Sequence, residues 1–333
     1  MDKKRGKELK VNLILQACLI KLWRFMKKQF QKKKILIIKF GGLGDFFLSM
    51  QAFNAIRIHH FKDELVLLTE KNYVKIANKS GYFDKIKSIE RSIFYFLDRL
   101  TIKKLINISK INFVYDLQTS KRSSSYIRLF YGTKTQWSGI AENCSHPHKN
   151  PRRNFIHTNL RLKDQLKDAG IKSYPKANLN WITKNVKPYD FKNYAILIPG
   201  GSKKRKYKRI PFFIFNEIIK KLLAKKIKPI LVGSKDDESV CKQINKYNSS
   251  VINLCSKLDL FELAMLGKKS KIVIGNDTGP MHLMAQLDCL TLSLFTKYSD
   301  PILCGPQGKN VKILNVDNYD LTTKSIEKII NNC

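Results

Sequence analysis

Three stretches of this chain share one local pattern: an apolar run, a glycine-containing turn, then the start of a helical periodicity. They are Ile35–Asp45 (ILIIKFGGLGD), Ile198–Pro211 (IPGGSKKRKYKRIP) and Ile274–Ala285 (IGNDTGPMHLMA). A strand end that runs into a helix start exposes backbone N–H groups, and the helix dipole makes the place attractive to anions. In the third stretch Thr278 takes the N-cap position, Pro280 suits the first helical turn, and Gly279 permits close approach of a ligand. In the second, Lys203, Lys204, Arg205, Lys206, Lys208 and Arg209 crowd the glycine loop. Such ammonium and guanidinium groups suit a diphosphate, although the same residues also make an ordinary solvated loop. In the first, the Asp45 carboxylate either caps the helix or faces a cleft as a general base. This stretch does not complete a dinucleotide fingerprint, because Phe47 stands where the third glycine belongs. A fourth segment, Val232–Glu238 (VGSKDDE), puts Asp237 and Glu238 just beyond a strand. There a carboxylate either accepts from ribose hydroxyls or stands solvated at a helix start.

The elements that position these groups alternate in the same way along the whole chain. Apolar runs at Ile35–Lys39, Leu65–Thr69, Phe113–Leu117, Ala195–Ile198, Pro229–Val232, Ile272–Ile274 and Leu290–Phe295 read as strands. Helical patterns run from about Asp45 to His59, Ile93 to Ile108, Phe212 to Lys225 and Thr322 to Asn331. Strand and helix in series predict parallel sheets covered on both faces. Residues 140–155 break the rhythm and read as a loop, so His146 and His148 are solvated rather than a metal pair. Residues 183–193 read as a linker. The expected class is α/β: two Rossmann-like domains facing across a cleft. The division is a basic N-terminal segment (1–34), a first domain (35–182), the linker, a second domain (194–318) and a C-terminal helix (319–333).

The chain has 333 residues, 43% of them hydrophobic, enough for two buried cores. Its formal charge of +37 favours anionic partners, although Lys is frequent everywhere and not confined to one element. Seven cysteines, none at Cys-x-x-Cys spacing, argue against a disulfide framework and a structural zinc site, and for a reducing cytosol. Val11–Met26 is too short and polar to span a bilayer. Leu15, Leu19, Leu22 and Met26 share one helical face with Trp23, with Lys27, Lys28 and Lys32–Lys34 following. The expectation is a basic amphipathic helix over residues 8–30, lying on a membrane or on the protein's own surface.

The motifs together resemble glycosyltransferase family 9, the lipopolysaccharide heptosyltransferases. The resemblance rests on Ile35–Asp45, Tyr115-Asp116-Leu117-Gln118, Lys208-Arg209-Ile210-Pro211, Gly275–His282 and Ser299-Asp300-Pro301, in the family's order over about residues 35 to 310. Ile210 departs from the pattern, which has Trp there. The resemblance implies a GT-B fold and inverting, metal-independent transfer of a heptose from an ADP-sugar to a lipopolysaccharide core or lipid A-type acceptor. It implies Asp45 as catalytic base and Lys208, Gly201, Ser202, Asp277, Thr278, Gly279 and His282 at the donor. Asp237 would lie at the donor ribose, with Glu238 its alternative, and Arg122 at the acceptor. It implies a nucleotide-sugar donor, a glycolipid acceptor and the anionic cytoplasmic face of the inner membrane as partners, with no cofactor. A GT-B enzyme using another nucleotide sugar is the alternative within the fold; a non-catalytic polyanion-binding protein is the alternative from a different class, but no nucleic-acid motif supports it. An NAD(P) oxidoreductase conflicts with the incomplete fingerprint.

Overall fold

The structure, a computed structural model, describes residues 32–316 and 319–332; the amphipathic segment expected over residues 8–30 lies outside the described residues. The first domain runs through Lys34–Ile38 (β1), Leu43–Leu48 (α1), Met50–His59 (α2), Glu64–Thr69 (β2), Val74–Ser80 (α3), Lys85–Ser88 (β3), Tyr95–Leu105 (α4), Phe113–Asp116 (β4), Lys121–Ser124 (α5), Gln136–Gly139 (β5), His146–Pro147 (β6) and Thr158–Asp168 (α6). The second runs through Tyr194–Ile198 (β7), Phe212–Ala224 (α7), Lys228–Leu231 (β8), Glu238–Tyr247 (α8), Ile252–Asn253 (β9), Leu260–Lys269 (α9), Ile272–Asn276 (β10), Gly279–Gln286 (α10), Thr291–Phe295 (β11), Pro301–Cys304 (α11), Val311–Asn315 (β12) and Tyr319–Asn331 (α12).

Each domain holds a six-stranded parallel sheet, ordered β3-β2-β1-β4-β5-β6 and β12-β11-β10-β7-β8-β9. The central strands form where aliphatic residues run unbroken. Ile35–Ile38 and Tyr194–Ile198 are buried throughout, as parallel strands covered on both faces must be. In each sheet the strand order reverses beside the first strand, β1 or β7. The crevice beyond the carboxyl ends of the strands at such a reversal is where open α/β sheets bind ligands.

Several boundaries differ from the sequence reading. The pattern from Asp45 to His59 is two helices, broken at Ser49. The Ser49 hydroxyl donates to the Asp45 carbonyl at 2.8 Å, a back-bond that bends helices. Residues 140–155 are not loop throughout, since β6 pairs there with β5. The histidines in that segment bond to neighbours: His148 Nδ1 accepts from Arg153 Nε at 3.2 Å, and His146 Nδ1 lies 3.0 Å from Ser145 Oγ.

The two domains are closed on one another. A single apolar cluster joins Phe46, Phe47 and Phe53 of the first domain to Met281, Leu283 and Met284 of the second. The Gln286 amide donates to the Phe47 carbonyl at 2.8 Å across this junction. His157 Nδ1 accepts from the Asn159 N–H, so Nε2 carries the proton that it gives to the Gly305 carbonyl at 2.9 Å. The linker is pinned by Tyr189 and Phe191, stacked at 5.7 Å and packed on the same cluster. The C-terminal helix α12 stays with the second domain, burying Ile326 and Ile330 against the core that holds Phe215 and Ile218.

Candidate active site

The cleft between the domains has a volume of about 750 Å³ and is lined from both sides. From the first domain come the β1–α1 loop, Gly41–Asp45, and Arg91. From the second come the loops after β7, β8 and β10, with Leu258–Leu260, Leu263, His282 and Cys304.

The β1–α1 loop is braced from behind. Gly41 takes φ +98°, in the left-handed region that glycine adopts freely, and its carbonyl accepts a hydrogen bond from the Tyr73 hydroxyl. Gln118 accepts from the Phe40 N–H at 3.0 Å, and buried Asp116 accepts from the N–H groups of Gln118 and Thr119, both at 3.1 Å. The Tyr115–Gln118 motif therefore supports the loop rather than facing a ligand. Burial pushes the Asp116 carboxyl up to about 6. Lys39 is also buried, and its ammonium donates to the Leu117 carbonyl at 3.3 Å. Burial lowers its pKa, opposed by the charges of Asp45 and Asp116.

Asp45 itself is exposed to the cleft in the first turn of α1. The helix is capped by position at Gly42 with no side-chain bond, so Asp45 is not the cap. Its carboxylate makes no hydrogen bond among the described residues, which leaves both oxygens for a substrate proton.

Opposite it, Lys208 Nζ lies 3.0 Å from Asp277 Oδ2 and 2.9 Å from Ser299 Oγ, and the Ser299 hydroxyl also bonds Asp277. Asp277 thus holds the lysine rather than the ligand. Asn276, buried at the end of β10, donates to the carbonyls of Pro199 (2.6 Å) and Gly200 (3.1 Å) and accepts from the Ile210 N–H at 3.2 Å. It fixes the Gly200–Gly201–Ser202 loop beside α10. The Thr278 hydroxyl makes no capping bond, so the start of α10 is open to an anion. Arg205 and Arg209 complete a cationic rim.

Asp237 reaches the cleft, but its oxygens are committed to the protein. Oδ1 accepts from the Gly201 N–H and Arg209, both at 3.1 Å, and Oδ2 from the N–H (3.0 Å) and hydroxyl (2.8 Å) of Ser234. Its geometry is that of a loop organiser, with no lone carboxylate left for ribose. Glu238 pairs with Lys242 at 3.9 Å and does not line the cleft. Arg122 does not line it either: it pairs with buried Asp98 at 3.2 Å and stacks on Tyr95 at 4.7 Å. Sequence reasoning missed Arg91, an isolated arginine in a Lys-rich chain. It also missed the apolar shelf of Val232, Leu258, Leu260 and Leu263, because single leucines carry no motif that marks a ligand site.

The domains meet most closely where α1 faces α10. A Cβ added to Gly279 would stand 2.6 Å from Leu43 Cβ, and one added to Gly44 would stand 2.6 Å from His282 Cδ2. No flexible side-chain end can give way at Leu43 Cβ, so Gly279→Ala forces the lobes apart. The expected result is a loss of about 10²-fold in kcat, the cost of roughly 1 Å of misplacement, read by steady-state kinetics.

His282 is 5% exposed, and its Nδ1 has no hydrogen-bond partner. Burial pulls the imidazole down to about 4, against the charges of Asp277 and Asp45. It is neutral at pH 7. The unfolded chain binds this proton near pH 6.5 and the folded one does not, so its stability contribution is full above 6.5 and is lost as pH falls towards 4. His282→Asn should remove about 3 kcal/mol of this acid sensitivity, measured as the difference in urea stability between pH 7 and pH 4. Asp116 pushes the other way over part of that range, but equally in both proteins, so the comparison isolates His282.

Two Rossmann-like domains facing across a cleft, with a diphosphate-type cradle on the second and a free carboxylate on the first, are the arrangement of a GT-B fold and suit a nucleotide-sugar donor. The sequence model of glycosyltransferase family 9 (heptosyltransferase) matches residues 99–333, and the chain belongs to that family. The matched span begins after Asp45, which the fold alone brings to the cleft. In fold the chain is similar to a family 9 glycosyl transferase from Veillonella parvula, with TM-score 0.72, 16% identity and 89% of each chain covered. It is also similar to E. coli ADP-heptose lps heptosyltransferase II, with TM-score 0.68, 15% identity, and 90% of this chain and 99% of that one covered. E. coli heptosyltransferase WaaC with ADP gives TM-score 0.71 and 19% identity over 90% and 99%. No curated protein matches in sequence.

Proposed function

We propose that the protein transfers a heptose or related sugar from an ADP-sugar to a lipopolysaccharide core or lipid A-type acceptor, inverting the anomeric centre and needing no metal ion. The observation that carries the reading is the unpartnered Asp45 carboxylate facing the cationic cradle of Lys208 and Arg205. Asp45 takes the proton of an acceptor hydroxyl while that oxygen attacks the anomeric carbon. The bond to the diphosphate breaks on the opposite face, and its electron pair leaves with ADP. Charge that builds on the diphosphate is met by Lys208, the Gly201–Ser202 loop and the start of α10, groups that can do the work of a metal. The apolar shelf of Leu258, Leu260 and Leu263 is placed to take the nucleobase. The adenine donor and the heptose are supported by the similar structures, whose names include an ADP-heptose enzyme and one with ADP.

No helix among the described residues is long and apolar enough to cross a membrane. A peripheral place on the cytoplasmic face of the inner membrane is proposed because the acceptor is a lipid. The experiment is a thermal-shift comparison of ADP, UDP and GDP with their sugars, in the presence of EDTA. A ligand that binds only the folded state raises the melting temperature. Stabilisation by ADP compounds supports the reading, and stabilisation by UDP or GDP compounds alone rejects the donor. Stabilisation that vanishes with EDTA rejects metal-free donor binding.

A further inference from the structure

The segment Ile93–Leu100 carries a run of large apolar side chains into solvent. Ile93 is 87% exposed, Phe94 61%, Phe96 52% and Leu100 53%, with Tyr95 and Leu97 exposed beside them. Soluble monomers rarely display a contiguous patch of this kind without a use for it. The α4 helix buries only Asp98 and Ile102. Asp98 anchors it by accepting from the Tyr126 hydroxyl at 2.6 Å and from Arg122. With that side held inward, Leu97, Leu100 and Lys104 share the outward side, with Phe96 and Lys103 next to them.

The patch has a basic border. Arg99, Lys103 and Lys104 stand on α4 and exposed Lys121 begins α5, while the only acids between Glu90 and Lys110 are Glu90 and the already paired Asp98. Apolar side chains bordered by cations fit the boundary between anionic headgroups and acyl chains. The patch is also continuous with the cleft, because Arg91, two residues before Ile93, lines it.

We propose that the Ile93–Lys104 segment is a bilayer-docking surface, seating Ile93, Phe94, Phe96 and Leu100 in an anionic membrane with Lys103 and Lys104 on lipid phosphates. This rests on the glycolipid-acceptor reading and adds where the membrane lies: at the first-domain rim, so that a lipid-borne hydroxyl enters beside Arg91 towards Asp45.

The test is co-sedimentation of the full chain with vesicles of phosphatidylcholine, alone or mixed with phosphatidylglycerol. Wild type should bind the anionic vesicles, more weakly as salt rises. Phe94→Ser/Phe96→Ser/Leu100→Ser should weaken that binding on the order of tenfold or more. Lys103→Gln and Lys104→Gln should each cost about fivefold on anionic vesicles only. If the serine variant does not melt like wild type, the two exposed lysine variants carry the test. Unchanged binding by these variants overturns the proposal. So does binding lost only when Leu15, Leu19 and Leu22 are replaced by Ser, which assigns the contact to the N-terminal segment. A dimer that dissociates in the serine variant, without vesicle binding by wild type, assigns the face to a second copy. Vesicle binding needs neither donor nor acceptor. Helix-dependent binding by a protein that transfers no sugar to lipid therefore upholds the docking surface and rejects the acceptor reading.

Discussion

Asp45→Asn is expected to lower turnover by about 10²- to 10⁴-fold, the range that a positioned general base contributes. The amide keeps the size and shape of the side chain and removes only its capacity to take a proton. The fold should not notice, because the Asp45 carboxylate is exposed and caps nothing, and the bond from the Ser49 hydroxyl goes to the backbone carbonyl, which the substitution keeps. Two of the other cleft acids are already committed to the protein. Asp237 is surrounded by donors from Gly201, Ser234 and Arg209, and Asp277 is held by Lys208 and Ser299. Steady-state product formation measures the loss, and calorimetric titration with ADP should show affinity within about twofold of wild type, as for a group used only in the transition state. Full turnover by the amide would move the proton to another acceptor and end the role given to Asp45.

Lys208→Met is expected to cost about 10²- to 10³-fold in kcat, comparable to removing one preorganised group from a site of developing charge. The loss has two parts. The ammonium that meets the diphosphate is gone, and Asp277, with a side chain only 9% exposed, is left as an uncompensated anion at the place where negative charge grows. Asp277→Asn alone leaves the cation in place and should cost less. The double variant Lys208→Met/Asp277→Asn should then recover part of the loss, because it removes the stranded anion. Comparing kcat/KM for the four proteins gives the coupling directly. Strictly additive losses would show that the pair at 3.0 Å does not act as a unit.

Where a strand is buried on both faces, its residues have to be apolar almost without interruption, and so the central strands β1, β2, β7, β10 and β11 are legible as runs in the sequence. The edge strands are not. Lys85–Ser88 and Val311–Asn315 are half exposed and carry lysines, and β6 and β9 have two residues each. The same logic made most of the site legible. Asp45, Gly201, Ser202, Lys208 and Asp277–Gly279 each follow the carboxyl end of a central strand, and in two facing α/β domains those ends open on one cleft.

The sequence by itself determined two nucleotide-binding-type lobes, the glycine turns that end their strands, and the acid and lysine those turns present. Tertiary structure alone decided which polar groups remain free. It turned Asp237 inward onto Gly201 and Ser234, withdrew Arg122 to Asp98, and brought Arg91 and Leu258 into the cleft. It also pressed Gly279 against Leu43 and Gly44 against His282. The physical reason is locality. A strand, a turn or a helix start is set by neighbours a few residues away, whereas the partner of a charge or the gap beside a glycine is set by a surface that only the docking of two domains creates.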